Sequence, residues 1–302
     1  MNPTSLAAGA PPDVSLQPEW QHQVEAWREL IAQCARKPSR KRVHALRRLT
    51  LRLRAAMEHE LQGQARGSAA ARAVKRWEKA GKKLRRALGP VRDADVYMAR
   101  LDGLRNPVGG ATGGKPDLSP RCLREIDKLE ARLEAERQSG AEELMAVLAA
   151  QSKRLNRRSL EMEETLSSGM GAKTRSTAQA ALETFAELTG EFPALDATNL
   201  HAYRKRLKQA LYLAEISAAA DPLAKRLAAA FRKIHLAAGE WHDWQTLAGK
   251  AAHAVPAHGK QDGLAPVLEA LAQGALKRAV GLCRHTAVRF LTSAGAIRPL
   301  EK

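Results

Sequence analysis

The sequence is poor in aromatic residues, cysteines and long apolar runs, and each shortage excludes a class of protein. Aromatics are 4% of the 302 residues. Rings this sparse cannot floor a surface for successive base stacking, and Trp77, Trp241 and Trp244 sit where they read as core packing. Three cysteines, Cys34, Cys122 and Cys283, are odd in number and far apart. That pattern fits neither a disulfide framework nor a zinc site, and it suits a reducing compartment. No apolar run approaches the roughly 20 residues that span a bilayer. β-Branched runs that would build a sheet are also few.

What is abundant is Ala, Leu, Arg, Lys, Glu and Gln, the good helix formers, so the expected fold class is all-α. Charge is equally one-sided. Fifty Lys and Arg face 32 Asp and Glu, a formal net charge of +18. Such an excess must meet a polyanion or be screened by salt. Nucleic acid, an anionic membrane surface and a phosphate polymer are the candidates, and charge alone does not choose among them.

Punctuation divides the chain. Residues 1–18 are rich in Pro and Ala and lack a basic segment followed by an apolar one. They read as a disordered leader, not a signal peptide, and the expected location is cytoplasmic. Helices are expected from about 18 to 36, 39 to 61 and 69 to 88, the last closed by Gly89-Pro90, with a short one from Asp93 to Leu104. Pro107, Pro116, Pro120 and four glycines make 106–120 a loop. Two charged segments, 121–139 and 141–166, read as a solvated helix pair. Gly169 and Gly171 mark a junction, beyond which helices are expected at about 173–189, 197–217, 221–238, 243–254 and 264–292. The implied organisation is a first bundle half over 19–168 and a second over 169–302, with 19–295 together forming one domain.

An internal repeat supports two halves. Leu88-Gly89-Pro90-Val91-Arg92-Asp93 matches Ala238-Gly239-Glu240-Trp241-His242-Asp243, with the glycines and the aspartates each 150 positions apart. Earlier in each half, His44-Ala45-Leu46-Arg47 matches His201-Ala202-Tyr203-Arg204, 157 positions apart. Two motifs in the same order at nearly the same spacing are hard to produce by chance.

The repeated helices carry the charge. At about 100° per residue, Arg47, Arg48, Arg52 and Arg54 fall on the arc centred on His44, while Leu46, Leu49, Leu53 and Met57 lie opposite. An ordinary solvated face mixes Glu with Lys to gain i,i+4 pairs, whereas here like charges repel. Around His201 lie Arg204, Lys205, Lys208, Gln209 and Tyr212. The following helices add Lys75, Lys79, Lys82, Arg85 and Arg86 in the first half, and Lys225, Arg232 and Lys233 in the second. These stripes suggest a continuous basic channel: Arg forks phosphate oxygens and Lys adds a point charge. As metal ligands the histidines are poor, because clustered Arg and Lys repel a cation. Arg92, Asp93 and Asp95 read as helix-start residues and not as a catalytic carboxylate pair.

The His-x-x-Arg helices and the Leu-Gly-x-x-Arg-Asp-x-Asp segment, each recurring in order, resemble the CHAD family, the conserved histidine α-helical domain. The likeness spans about 20–292. It implies two pseudo-symmetric four-helix bundles with a basic central groove that binds inorganic polyphosphate and associates with polyphosphate granules. Departures are Leu51 in the first half and Gln209 and Leu211 in the second, where relatives often carry Arg; the two in the second half point to a weaker site there. No Glu-x-Glu-x-Lys motif of a triphosphate tunnel domain is present. The expected protein is therefore a binder and not an enzyme, without cofactor, metal site or membrane contact. Its expected partner is polyphosphate, with granule-associated proteins as further candidates. Nucleic-acid binding and, behind it, polyphosphate processing are the alternatives.

Overall fold

A computed structural model of the chain describes residues 19–62, 64–65, 67–106, 118–168, 176–254 and 263–292. The expected leader, most of the 106–120 loop and the Gly169/Gly171 junction lie outside the described residues. The protein is all-α: eight α-helices and no strand among the described residues. These are α1 (Glu19–Arg36), α2 (Arg40–Glu60), α3 (Ala69–Arg105), α4 (Pro120–Ser168), α5 (Thr177–Glu191), α6 (Leu200–Ile216), α7 (Pro222–Ala254) and α8 (Leu264–Ala287). A π-helical turn, Val288–Thr292, follows α8.

Helix starts follow local chemistry. The Ser39 hydroxyl accepts the Arg42 N–H to open α2, and Ser68 accepts the Ala71 N–H to open α3. Before α7, the Asp221 carboxylate accepts the N–H groups of Leu223 and Ala224. Each such cap satisfies donors that the first helical turn leaves free.

The glycine signals mislead at three places. The break expected at Gly89-Pro90 is absent, since α3 runs from Ala69 to Arg105 with Pro90 inside it. The pair expected at 121–139 and 141–166 is one 49-residue helix, and α7 passes unbroken through Gly239. A proline removes one helical hydrogen bond and crowds the preceding turn. Here tertiary packing outweighs that cost, because Leu84, Leu88, Val91 and Ala94 stay buried at helical spacing across the proline. Gly140 serves as a contact and not a stop: a Cβ there would lie 3.2 Å from Pro90 Cβ and 3.3 Å from Val91 Cγ2. The missing side chain is what lets α4 cross α3 closely.

That crossing is a neck between two cores. One core gathers Trp27 and Ile31 of α1, Leu46 and Leu53 of α2, Trp77, Leu84 and Leu88 of α3, and Leu144, Leu148 and Leu155 of α4. Trp27 meets Trp77 edge-on at 5.7 Å and donates its indole N–H to Thr50. The other core gathers α5–α8 with Leu101 and Leu104 of α3 and Ile126, Leu129 and Leu133 of α4. Thus α3 and α4 each enter both cores, and two helical clusters sharing two long helices are compatible with a paired-bundle plan. Trp77, Trp241 and Trp244 are buried, as expected from sequence.

Candidate functional site

The two cores meet where α2 packs on α6 and α3 approaches α7. Val43, Leu46 and Leu53 are drawn into the first core. Helical geometry then turns His44, Arg47, Arg48 and Arg52 toward the other arc of α2. Leu200, Tyr203, Leu207 and Ala210 anchor α6 in the second core, which presents His201, Arg204 and Lys208 in the same way.

Each His-x-x-Arg arginine reaches the helix that follows it. Arg47 Nη1 donates to the Arg85 carbonyl at 3.4 Å and lies 3.7 Å from where a Cβ on Gly89 would be. Arg204 lies 3.6 Å from the corresponding point on Gly239. The two repeats therefore pair the same residues in space, arginine against glycine. Burial pushes both guanidinium pKa values down, opposed by Asp93 at Arg47 and by Asp243 at Arg204. An arginine stays charged regardless, so both halves hold a permanent cation that is partly withdrawn from water.

Between them sits Lys208. Burial, followed by Arg204, Arg47 and Arg92, brings its pKa down to about 7. The neighbouring imidazoles are depressed in the same sense. His235 is pushed down to about 3 by burial and then by Lys208 and Arg204. His242 is pushed down to about 4 by burial and then Arg204, and its ring stands 4.7 Å from that of His201. His201 is lowered by burial, Lys205 and Arg204. His44 is lowered by burial and Arg92, with Asp95 pulling the other way. Near pH 7 these rings are neutral and every further positive charge is resisted.

Several buried polar atoms of this seam have no hydrogen-bond partner among the described residues: His44 Nε2, His201 Nδ1, Arg204 Nε, His235 Nδ1 and the carboxylate oxygens Asp95 Oδ2 and Asp243 Oδ1, with His44 Nε2 3.9 Å from Asp95 Oδ2. Buried polar groups normally find partners. Arg52 is engaged across the seam, its Nε 3.3 Å from Glu215 Oε2. Tyr212 is buried, its hydroxyl pKa raised by burial and Glu215 against Arg47, Arg48 and Arg52.

Among the sequence-predicted residues, then, the fold gathers His44, Arg47, Arg48, Arg52, His201, Arg204, Lys208 and Tyr212. Arg85 meets the seam only through its carbonyl, since its guanidinium turns to the Glu78 carbonyl at 3.5 Å. Arg54 faces elsewhere, bonded to Glu58 and Glu78 at 2.8 and 2.9 Å. Lys75, Lys79, Lys82 and Arg86 are exposed along α3, and Lys205 and Lys233 are exposed on α6 and α7. Arg232 pairs with Glu215.

The sequence reading missed Arg92. It is not at a helix start but in the middle of α3, bonded to Asp93 at 2.8 Å. Its charge reaches His44 and Arg47 in one half and Arg204, Lys208, His235 and His242 in the other. Asp95 and Asp243 are buried and bind guanidinium groups, Arg137 at 2.7 Å and Arg100 at 3.4 Å. His235 and His242 were missed too. The available signal was the 150-residue offset, which sets His235 against Arg85 and His242 against Arg92.

The model of the CHAD domain family matches residues 19–252. The chain belongs to the CHAD domain family. No curated protein and no solved structure matches it. CHAD domains are associated with polyphosphate-related proteins. The match covers both His-x-x-Arg helices, both Gly-containing segments and the neck, so the whole seam of this CHAD domain lies inside it. Among the described residues, no helix is long and apolar enough to cross a membrane, and no His, Cys, Asp and Glu cluster could hold a metal ion.

Proposed function

We propose that this CHAD domain binds inorganic polyphosphate along the α2–α6 seam. The observation that carries the reading is convergence. Permanent cations of both halves, Arg47 and Arg204, flank Lys208 and Arg92, with ring nitrogens of His201 and His235 that lack a hydrogen-bond partner beside them. Like charges held this close repel, and a polyanion turns that cost into attraction. A linear phosphate polymer suits the arrangement, since successive phosphates can meet cations on successive helices. Association with polyphosphate granules follows from the same contact. In this reading the domain binds and does not turn over its ligand; the buried carboxylates Asp95 and Asp243 each pair through one oxygen with an arginine, Arg137 and Arg100, and serve as scaffold.

The test is calorimetric titration of the full chain with long-chain polyphosphate, orthophosphate and duplex DNA. Long polyphosphate is expected to bind much more tightly than orthophosphate, and Arg47→Gln with Arg204→Gln to weaken it roughly a hundredfold, about 2.7 kcal/mol. Unchanged affinity in that double variant, or displacement of polyphosphate by DNA at equal phosphate concentration, would sink the reading.

A further inference from the structure

The cations of α3 do not all serve the seam. Between Ala69 and Arg92, α3 carries nine Lys and Arg and a single acid, Glu78, which Arg54 already holds. α4 lies along α3 in antiparallel register, fixed at one end by Gly140 against Pro90 and at the other by Arg76 against Glu161 at 3.7 Å. Residues 144–160 of α4 contain no acid at all, yet they include Lys153, Arg154, Arg157 and Arg158. Glu161, beyond them, is shared by Arg76, Arg157 and Arg158. Lys79, Lys83, Lys153, Arg154 and Arg157 are all exposed on this strip. A solvated helix surface ordinarily interleaves acids three or four residues from its bases, as α4 itself does with Arg121 and Glu125. On the strip the one such acid is Glu161, which Arg157 shares with Arg76 and Arg158.

The corresponding face of the second half is different. At the 150-residue offset, Ala229 and Leu236 stand where α3 has Lys79 and Arg86, and both are exposed. Arg232 is bonded to Glu215 and Arg278 to Glu240. Lys233, exposed, does stand where α3 has Lys83, so the second half keeps part of this charge, and the strip is denser in the first half.

We infer that the outer α3–α4 face, formed by Lys79, Lys83, Lys153, Arg154 and Arg157, is a second phosphate track that receives polyphosphate leaving the seam. The inference rests on the proposed seam function and adds a direction to it: the polymer exits over the first bundle. Continuity comes from α3, whose unbroken passage through Pro90 joins Arg92 at the seam to Lys82, Lys83 and Lys79 further along the same helix. Charge complementarity favours a flexible linear phosphate chain, because the strip exposes no aromatic ring on which bases would stack.

The experiment compares tripolyphosphate with long-chain polyphosphate on the full chain carrying K79Q, K83Q, K153Q, R154Q and R157Q together. These positions are exposed, so helicity by circular dichroism is expected to be unchanged; a two-site K153Q/R157Q chain serves if it is not. Long-chain affinity is expected to fall roughly tenfold or more. Its salt dependence should become shallower by about 0.7 for each phosphate that the variant no longer neutralises, by analogy with single strands. Tripolyphosphate affinity is expected to stay as it was. Equal loss for both probes, or no loss for either, overturns the track. So does selective loss of duplex DNA binding, which would make the face a nucleic-acid surface. Failure of the seam reading shows separately, as an R47Q/R204Q chain that binds both probes undiminished.

Discussion

Lys208 is the residue on which seam chemistry turns. Its pKa of about 7 in the folded protein lies below the ordinary lysine value of 10.5. An anion beside it favours the charged form, so polyphosphate raises that pKa and binding takes up a proton. Above about pH 7 affinity is therefore expected to fall as pH rises, because Lys208 must first be protonated. Titration at pH 8 in two buffers of different ionisation enthalpy should show net proton uptake. Lys208→Arg, charged at every pH, should flatten the dependence. Without ligand the linkage has the opposite consequence. The unfolded chain binds more protons than the folded one between about pH 7 and 10.5 at Lys208. Stability from this group therefore rises with pH across that window. His235 and His242 act the same way at lower pH. Their folded values of about 3 and 4 lie below the ordinary 6.5, so their contribution is present above 6.5 and lost as pH falls toward 4. Thermal melts of His235→Gln should lose part of that acid-side slope. His44, Arg47, Arg204 and Lys208 were legible as cationic-stripe members from helical spacing. Their depressed pKa values were not, since burial depends on the neighbour that arrives from the other half.

At the scale of helices, glycine was the weakest guide. Gly89, Gly140 and Gly239 all read as stops, and all are helix interior. Intrinsic propensity disfavours glycine there by only about 1 kcal/mol, which burial of one long apolar stripe readily exceeds. The glycines separate by what surrounds them. An added Cβ at Gly140 would press on Pro90, Val91 Cγ2 and the Val91 backbone nitrogen at 3.2–3.4 Å, whereas at Gly103 it would meet nothing within 4 Å. Gly103→Ala is expected to stabilise by about 0.5–1 kcal/mol through helix propensity. Gly140→Ala gains the same propensity but forces the α3–α4 neck apart, and overpacking of about 1–3 kcal/mol makes the net effect destabilising. Urea unfolding of the two variants should move the midpoint in opposite directions; a shift of the same sign in both would contradict the close crossing.

For the whole molecule, a net charge of +18 makes the folded state work against its own repulsion. A polyanion that binds only the folded seam should stabilise by mass action, about 2.7 kcal/mol when present at 100 times its dissociation constant. The melting temperature is therefore expected to rise more with long-chain polyphosphate than with orthophosphate at equal phosphate concentration and ionic strength. Equal shifts would mean general screening and not a seam. Arg52→Gln, which removes the ion pair to Glu215 across α2 and α6, should reduce the polyphosphate-dependent rise more than the melting temperature without ligand, since partly exposed pairs contribute about 1 kcal/mol or less.

Composition, residue order and helical spacing were enough to establish the helical class, the two-part repeat, the cationic arcs around His44 and His201 and the resemblance that the family match bears out. Where helices continue was settled by packing, since burial across Pro90 and Gly140 outweighs local breakers. Packing also selected which cations meet. Arg54 turns to Glu58 and Glu78, whereas Arg92, His235 and His242 enter the seam. Charge sign and helical face are local properties of a chain. Which charges share a low-dielectric space is set only when α2, α3, α6 and α7 come together.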